Sequence, residues 1–238
     1  LSVGEKFKHP GDCGYLDGVH LGVAISRVGD GHHIGLLYRL DDSIKLLHLG
    51  WHRDLRDELV HAGFKYLWAP IGLTAVEQVA LAGMAAEVSV NVRLTDFRYG
   101  LDWQYVEEEG LFDEDEKVII YPVGKGVTCA TFLYGLFKWW GYKLVAPDTW
   151  QAVAGDQEWQ RWVVSVLGAS KDEDSRAQAE ALAKDVGVLR LRPEQLAGAC
   201  ATDVEAWPVL FDGACALAAE VVAQVASETA RRLPPIQA

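Results

Sequence analysis

The stretch from Val19 to Leu49 constrains this chain most. Three apolar runs, VHLGVAISRV (19–28), HHIGLLYRL (32–40) and SIKLLHL (43–49), are separated only by Gly29-Asp30-Gly31 and Asp41-Asp42. Loops this short join antiparallel neighbours and leave no room for a crossover. The prediction is an antiparallel meander. A two-residue Asp41-Asp42 loop sets Leu40 opposite Ser43, Gly35 opposite His48 and His33 opposite Gly50. Side chains alternate along a strand, so His33 and His48 become diagonal neighbours on one face. Ile34, Leu36, Leu47 and Leu49 then share the other, apolar face. A three-residue loop would separate the two histidines, because a one-residue slip inverts every side chain.

The remainder reads mainly as helix. Residues 1–18 are a lead-in loop, 51–62 a polar loop or short helix, and 65–71 an extended run. Thr74 and Glu77 form a capping box for an Ala-rich helix to Asn91. Phe97 to Trp103 is an aromatic loop, Glu107 to Lys117 an acidic solvated one, and 118–121 are strand-like. Helical patterns cover part of 148–167, then 175–185, 193–199 and 205–233, the last interrupted at Pro208 or Gly213. Strands first and helices last give an α+β class. Gly168 to Asp174 is the expected hinge between a domain of residues 1–167 and a helical extension, 168–238, unless the whole is one domain.

Cys129 stands where a glycine-broken run (Pro122, Gly124, Gly126) meets a helix. Thr128 is its N-cap, and Phe132, Leu133, Leu136, Phe137 and Trp140 recur at helical spacing. Unpaired N–H groups at a helix start lower a thiol pKa and can hold an oxyanion. A buried, inert cysteine is the commoner fate of such a residue. A histidine beside it would distinguish the two. The seven histidines all precede Cys129. His33 is the candidate base and His48 its orienter; His20, in the similar string His20-Leu-Gly-Val-Ala, is a rival.

Composition narrows the class. The net charge is −12, with 34 acidic against 22 basic residues, which argues against a nucleic-acid surface. No apolar run is long enough to span a bilayer. Cys13, Cys129, Cys200 and Cys215 form no CxxC pair and suggest neither a zinc ribbon nor a disulfide framework, so a reducing, cytoplasmic compartment is favoured. The histidines lack a clear third ligand, and neither metal nor cofactor is expected.

The strings His33-Ile-Gly-Leu-Leu-Tyr38, Leu46-Leu-His-Leu49 and Thr128-Cys-Ala-Thr-Phe132 resemble the circularly permuted NlpC/P60 group of papain-like proteins. In that group, which includes lecithin:retinol acyltransferase-like members, histidine precedes cysteine. The resemblance covers roughly residues 19–142. It implies a papain-like α+β fold and hydrolysis of a peptide or acyl amide through a thioester. Cys129 would be the nucleophile, His33 the base and His48 the orienter. The Cys129 amide and Tyr121 would serve the oxyanion. Independently of the resemblance, the aromatic loop with Tyr99 and Trp103 is the expected substrate contact, because aromatic loops beside a rigid sheet often bind. Bacterial members act on cell-wall peptides, and some are exported effectors. Thr-Cys-Ala-Thr-Phe departs from the Asn-Cys-Glu-His-Phe of the acyltransferase-like members. Acyl transfer and a non-catalytic binding role are the alternatives.

Overall fold

The computed structural model describes residues 1–61, 63–93 and 96–232. Its centre is a five-stranded antiparallel sheet: β1 (Leu21–Val28), β2 (Gly31–Leu40), β3 (Ser43–Trp51), β4 (Asp54–Leu59) and β5 (Leu67–Pro70), in the order β4-β3-β2-β1-β5. The meander is present with the two-residue turn, since Leu40 pairs with Ser43 and Leu36 with Leu47. β4 occupies part of the stretch expected as loop or helix; Ala62 of that stretch lies outside the described residues. Its sequence, DLRDEL, suits an edge strand: Leu55 points inward, Arg56 is exposed, and Asp57, on the inward face, is held by the Tyr38 hydroxyl and Lys45. Residues 118–121 form no strand and contribute an isolated bridge, Phe112 to Val118.

The described helices are α1 (Val3–Lys6), α2 (Pro10–Cys13), α3 (Ala75–Asn91), α4 (Trp103–Glu109), α5 (Cys129–Trp139), α6 (Asp156–Gly168), α7 (Glu173–Leu182), α8 (Pro193–Cys200) and α9 (Phe211–Arg232). α1 and α2 replace part of the expected lead-in loop, and α4 takes the start of the acidic stretch. Thr74 and Glu77 close the α3 capping box as their spacing predicts. α9 begins after Pro208 and runs through Gly213; Leu233, at its expected end, lies outside the described residues.

The two sheet faces differ. Val23, Ile25, Ile34, Leu36, Leu47 and Leu49 join one large core with residues of α3, α5, α8 and α9. Helices α3, α5 and α8 lie against β2 on this face, and residues after Gly168, such as Leu182, Leu196 and Val221, belong to the same core. The opposite face holds a small cluster of Leu16, Ala24, Leu37, Leu46 and Trp68, flanked by Phe64 and Tyr66. His33 and His48, by strand parity, belong to this second face. No described helix is long and apolar enough to cross a membrane.

Candidate active site

Thr128 caps α5 as expected. Its hydroxyl accepts from the Thr131 amide (3.1 Å), and the Thr131 hydroxyl accepts from the Thr128 amide (2.7 Å). Cys129 is therefore the first residue of the helix, and it is 7% exposed. α5 packs on the apolar face of the sheet, so its N-terminus does not meet the histidine face head-on, as the sequence suggested. The thiol reaches the sheet from the side of the core.

It arrives where the ladder opens. With Leu40 and Ser43 closing the turn, the amides of even-numbered β2 residues point toward β3. The β2–β3 pairing ends at Leu36 and Leu47, so the Ile34 amide has no partner in β3. That amide faces the Cys129 thiol instead, one peptide unit from His33.

His33 and His48 meet as the register requires. His33 Nε2 lies 2.7 Å from His48 Nδ1, the rings meeting edge to face at 4.9 Å. Gly35 makes this possible: a Cβ there would stand 2.9 Å from the His48 Cβ and 3.2 Å from the Leu47 carbonyl. Arg56 pairs opposite His48 across β3–β4 and is itself bound to Asp54 at 2.6 Å. Burial, seconded by the Arg56 charge, pulls the His33 pKa down to about 4. Burial, then the neighbouring charges of His33 and Arg56, pulls His48 down to about 3. Both rings are neutral at neutral pH.

The thiol also rests neutral. Burial pushes its pKa up, against the Ile34 amide, the Arg190 charge and the amides of Ala130 and Cys129. The lowering expected from the helix start is present but loses to desolvation. No hydrogen bond joins the thiol to either imidazole among the described residues.

Of the other expected residues, Tyr99 is beside the thiol in electrostatic terms. Burial first, then the charge of a Cys129 thiolate, raises its phenol pKa. Its loop is pinned by crossing backbones. A Cβ on Gly100 would stand 2.4 Å from the Gly126 carbonyl carbon, and the Val127 amide donates to the Arg98 carbonyl at 2.8 Å. Tyr99 is further held through its amide, which donates to His52 Nδ1 (3.2 Å), and its carbonyl, which accepts from Gln178 Nε2 (2.7 Å). Tyr121 donates its hydroxyl to the Gly110 carbonyl and packs on Tyr105, so the expected oxyanion role loses its donor. Trp103 is 1% exposed between Tyr134 and Trp150, a core residue closed to substrate. His20 pairs near Arg39, at the far end of β2 from His33, which leaves it remote from the pair.

Other residues complete the surroundings of the site. The Tyr66 ring lies 6.2 Å from His33 and 6.4 Å from His48; burial first raises its phenol to about 12, and the Cys129 charge adds to this. Continuing the alternation back from β5 would have placed Tyr66 with Trp68 on the histidine face. His32, on the core face, lies 3.4 Å from Glu194 at the start of α8. Asp174 of α7 takes His52 at 3.1 Å, Arg53 at 3.1 Å and Arg98 at 2.8 Å, fastening α7 to the end of β3 and the Tyr99 loop.

Among the described residues, no group of three or more His, Cys, Asp or Glu side chains is arranged to hold a metal ion. Comparison of the chain with protein-family models, with curated proteins and with solved structures found no match.

Proposed function

We propose that this chain is a thiol hydrolase that cleaves an amide bond, of peptide type, through a thioester on Cys129, with a papain-like arrangement in permuted order. The observation that carries the reading is the meeting of a helix-start thiol with the Ile34 amide, one peptide unit from a hydrogen-bonded histidine pair. The Cys129 sulfur attacks the carbonyl carbon while its proton passes to His33 Nδ1, the ring nitrogen not committed to His48. The Cys129 amide takes the developing oxyanion. The intermediate collapses as the leaving amine takes the proton back from His33. Water then attacks the thioester and gives its proton to His33. The sulfur leaves with that proton, and the acid product is released.

The two resting groups are neutral, so the thiol is activated by general-base transfer and not as a stored ion pair. A neutral His33 accepts a proton at any pH above its own pKa of about 4. The test is iodoacetamide alkylation of Cys129 against pH, in the parent and in His33→Ala. The parent is expected to react across neutral pH and to lose reactivity as pH falls through about 4. His33→Ala is expected to react only in the alkaline range of an unassisted buried thiol. Equal profiles that rise only at alkaline pH would sink the base assignment.

A second reading, a binding protein on the same fold, draws support from the raised thiol pKa and the missing thiol–imidazole hydrogen bond. The same alkylation experiment separates the two.

A further inference from the structure

Glu58 is outside the histidine pair, and its place in β4 has a consequence for that pair. Leu46 pairs with Glu58 and His48 with Arg56, so Glu58, Arg56 and His48 share one sheet face. His48 Nε2 is buried and makes no hydrogen bond among the described residues; the Glu58 carboxylate is 3.5 Å away. The His48 side chain is 3% exposed and that of Glu58 41%. The other charged or titratable groups facing the pair are Arg56 and Asp54 from β4 and Tyr66 from the loop before β5.

One proton lies between His33 Nε2 and His48 Nδ1, and two neutral arrangements are open to it. In the first, His33 Nε2 donates. His33 Nδ1 is then a lone pair able to accept the thiol proton, and His48 carries its own proton on Nε2. In the second, His48 Nδ1 donates. His33 then carries a proton on Nδ1 and is useless as a base there, while the His48 Nε2 lone pair faces the Glu58 carboxylate. A carboxylate attracts the N–H of the first arrangement and repels the lone pair of the second.

We propose that Glu58 is a positioning residue that selects the Nε2-protonated tautomer of both His48 and His33, leaving His33 Nδ1 as the base. This deepens the proposed function and rests on it for the role of His33; the tautomer itself is independent of any activity. The setting of a ring's tautomer by a partner on its far nitrogen is the usual way a base is kept ready.

The test is long-range imidazole ¹⁵N NMR on the full chain at neutral pH, for the parent, Glu58→Ala and Glu58→Lys. The parent is expected to show both rings protonated on Nε2 and both Nδ1 atoms as lone pairs. Glu58→Lys is expected to invert the pair, so that both rings are protonated on Nδ1, and to slow Cys129 alkylation at neutral pH on the order of tenfold. Glu58→Ala, which alters the fold least, is expected to give a mixture of the two tautomers. A parent with His33 protonated on Nδ1, or tautomers unchanged in Glu58→Ala, would overturn the proposal. A parent tautomer as stated, with alkylation indifferent to His33→Ala, upholds the tautomer and removes the catalytic reading instead.

Discussion

Acidification should destabilise this protein through its histidine pair before its carboxylates are touched. The folded pKa values are about 4 for His33 and about 3 for His48, against 6.5 for an ordinary imidazole. The folded form therefore binds fewer protons than the unfolded chain between those values and 6.5. Stability is whole above pH 6.5 and falls as pH drops toward 4 and 3. At about pH 5 the unfolded imidazoles are almost fully protonated and the folded ones almost fully neutral, so each costs ~2 kcal/mol. The sum of ~4 kcal/mol is an upper figure, because part of the His48 shift is the charge of His33 itself. It is a large share of the roughly 5–15 kcal/mol that holds a domain together. His52, also depressed by burial, adds in the same window. Asp172, Asp174, Glu77 and Glu194, whose pKa values are lowered, act only at lower pH. The assay is urea unfolding followed by tryptophan fluorescence at about pH 7.5 and about pH 5. With a slope of about 2 kcal/mol/M the midpoint should fall by up to roughly 2 M. The double variant His33→Gln/His48→Gln should lose most of that dependence. A parent midpoint that does not move, or a double variant with the parent's dependence, would refute the burial of two neutral imidazoles.

Two further substitutions probe the frame of the site. Gly35→Ala drives a Cβ to 2.9 Å from His48 and should cost about 1–3 kcal/mol while parting the imidazoles, read as a lower urea midpoint with altered imidazole ¹⁵N signals; a midpoint equal to the parent's would show that the hairpin has slack. Gln178→Ala removes partners from the Gly124 amide and from the Tyr99 and Lys125 carbonyls, and should cost about 3 kcal/mol, or about 10 °C in Tm. A Tm within a degree or two of the parent's would mean that water replaces the amide.

The histidine pair was legible because strand parity is a local property. Asp41-Asp42 fixes which residues face one another, and the apolar set Ile34, Leu36, Leu47 and Leu49 agrees with it. The start of α5 was legible for the same reason: Thr128, Cys129 and Thr131 carry their own cap. What could not be read was the side from which the helix comes. The apolar face of the hairpin is the natural seat for a buried helix, and the thiol meets the histidine strand only because the ladder opens beyond Leu36. β4 was hidden because an edge strand satisfies half of its backbone with water and tolerates Asp57 and Glu58. Tyr121 and Trp103 were misread because aromatic side chains near a reactive residue serve packing more often than substrate. At Cys129 the lowering that a helix start exerts is outweighed by burial, whose depth depends on the packing of α5 on the sheet and not on the local sequence.

The fastening of the Tyr99 loop has a meaning in the order of synthesis. Cys129 and both histidines leave the ribosome well before Asp174 and Gln178, which hold His52 and Tyr99. A nascent chain thus carries Cys129, both histidines and the backbone crossing at Gly100 and Gly126 before Asp174 and Gln178 have been added. The remaining contacts to the Tyr99 loop form only when α7 has been made and has docked. A message cut short after α6 would yield a chain with Cys129 and both histidines but without the Asp174 and Gln178 contacts that hold His52 and Tyr99.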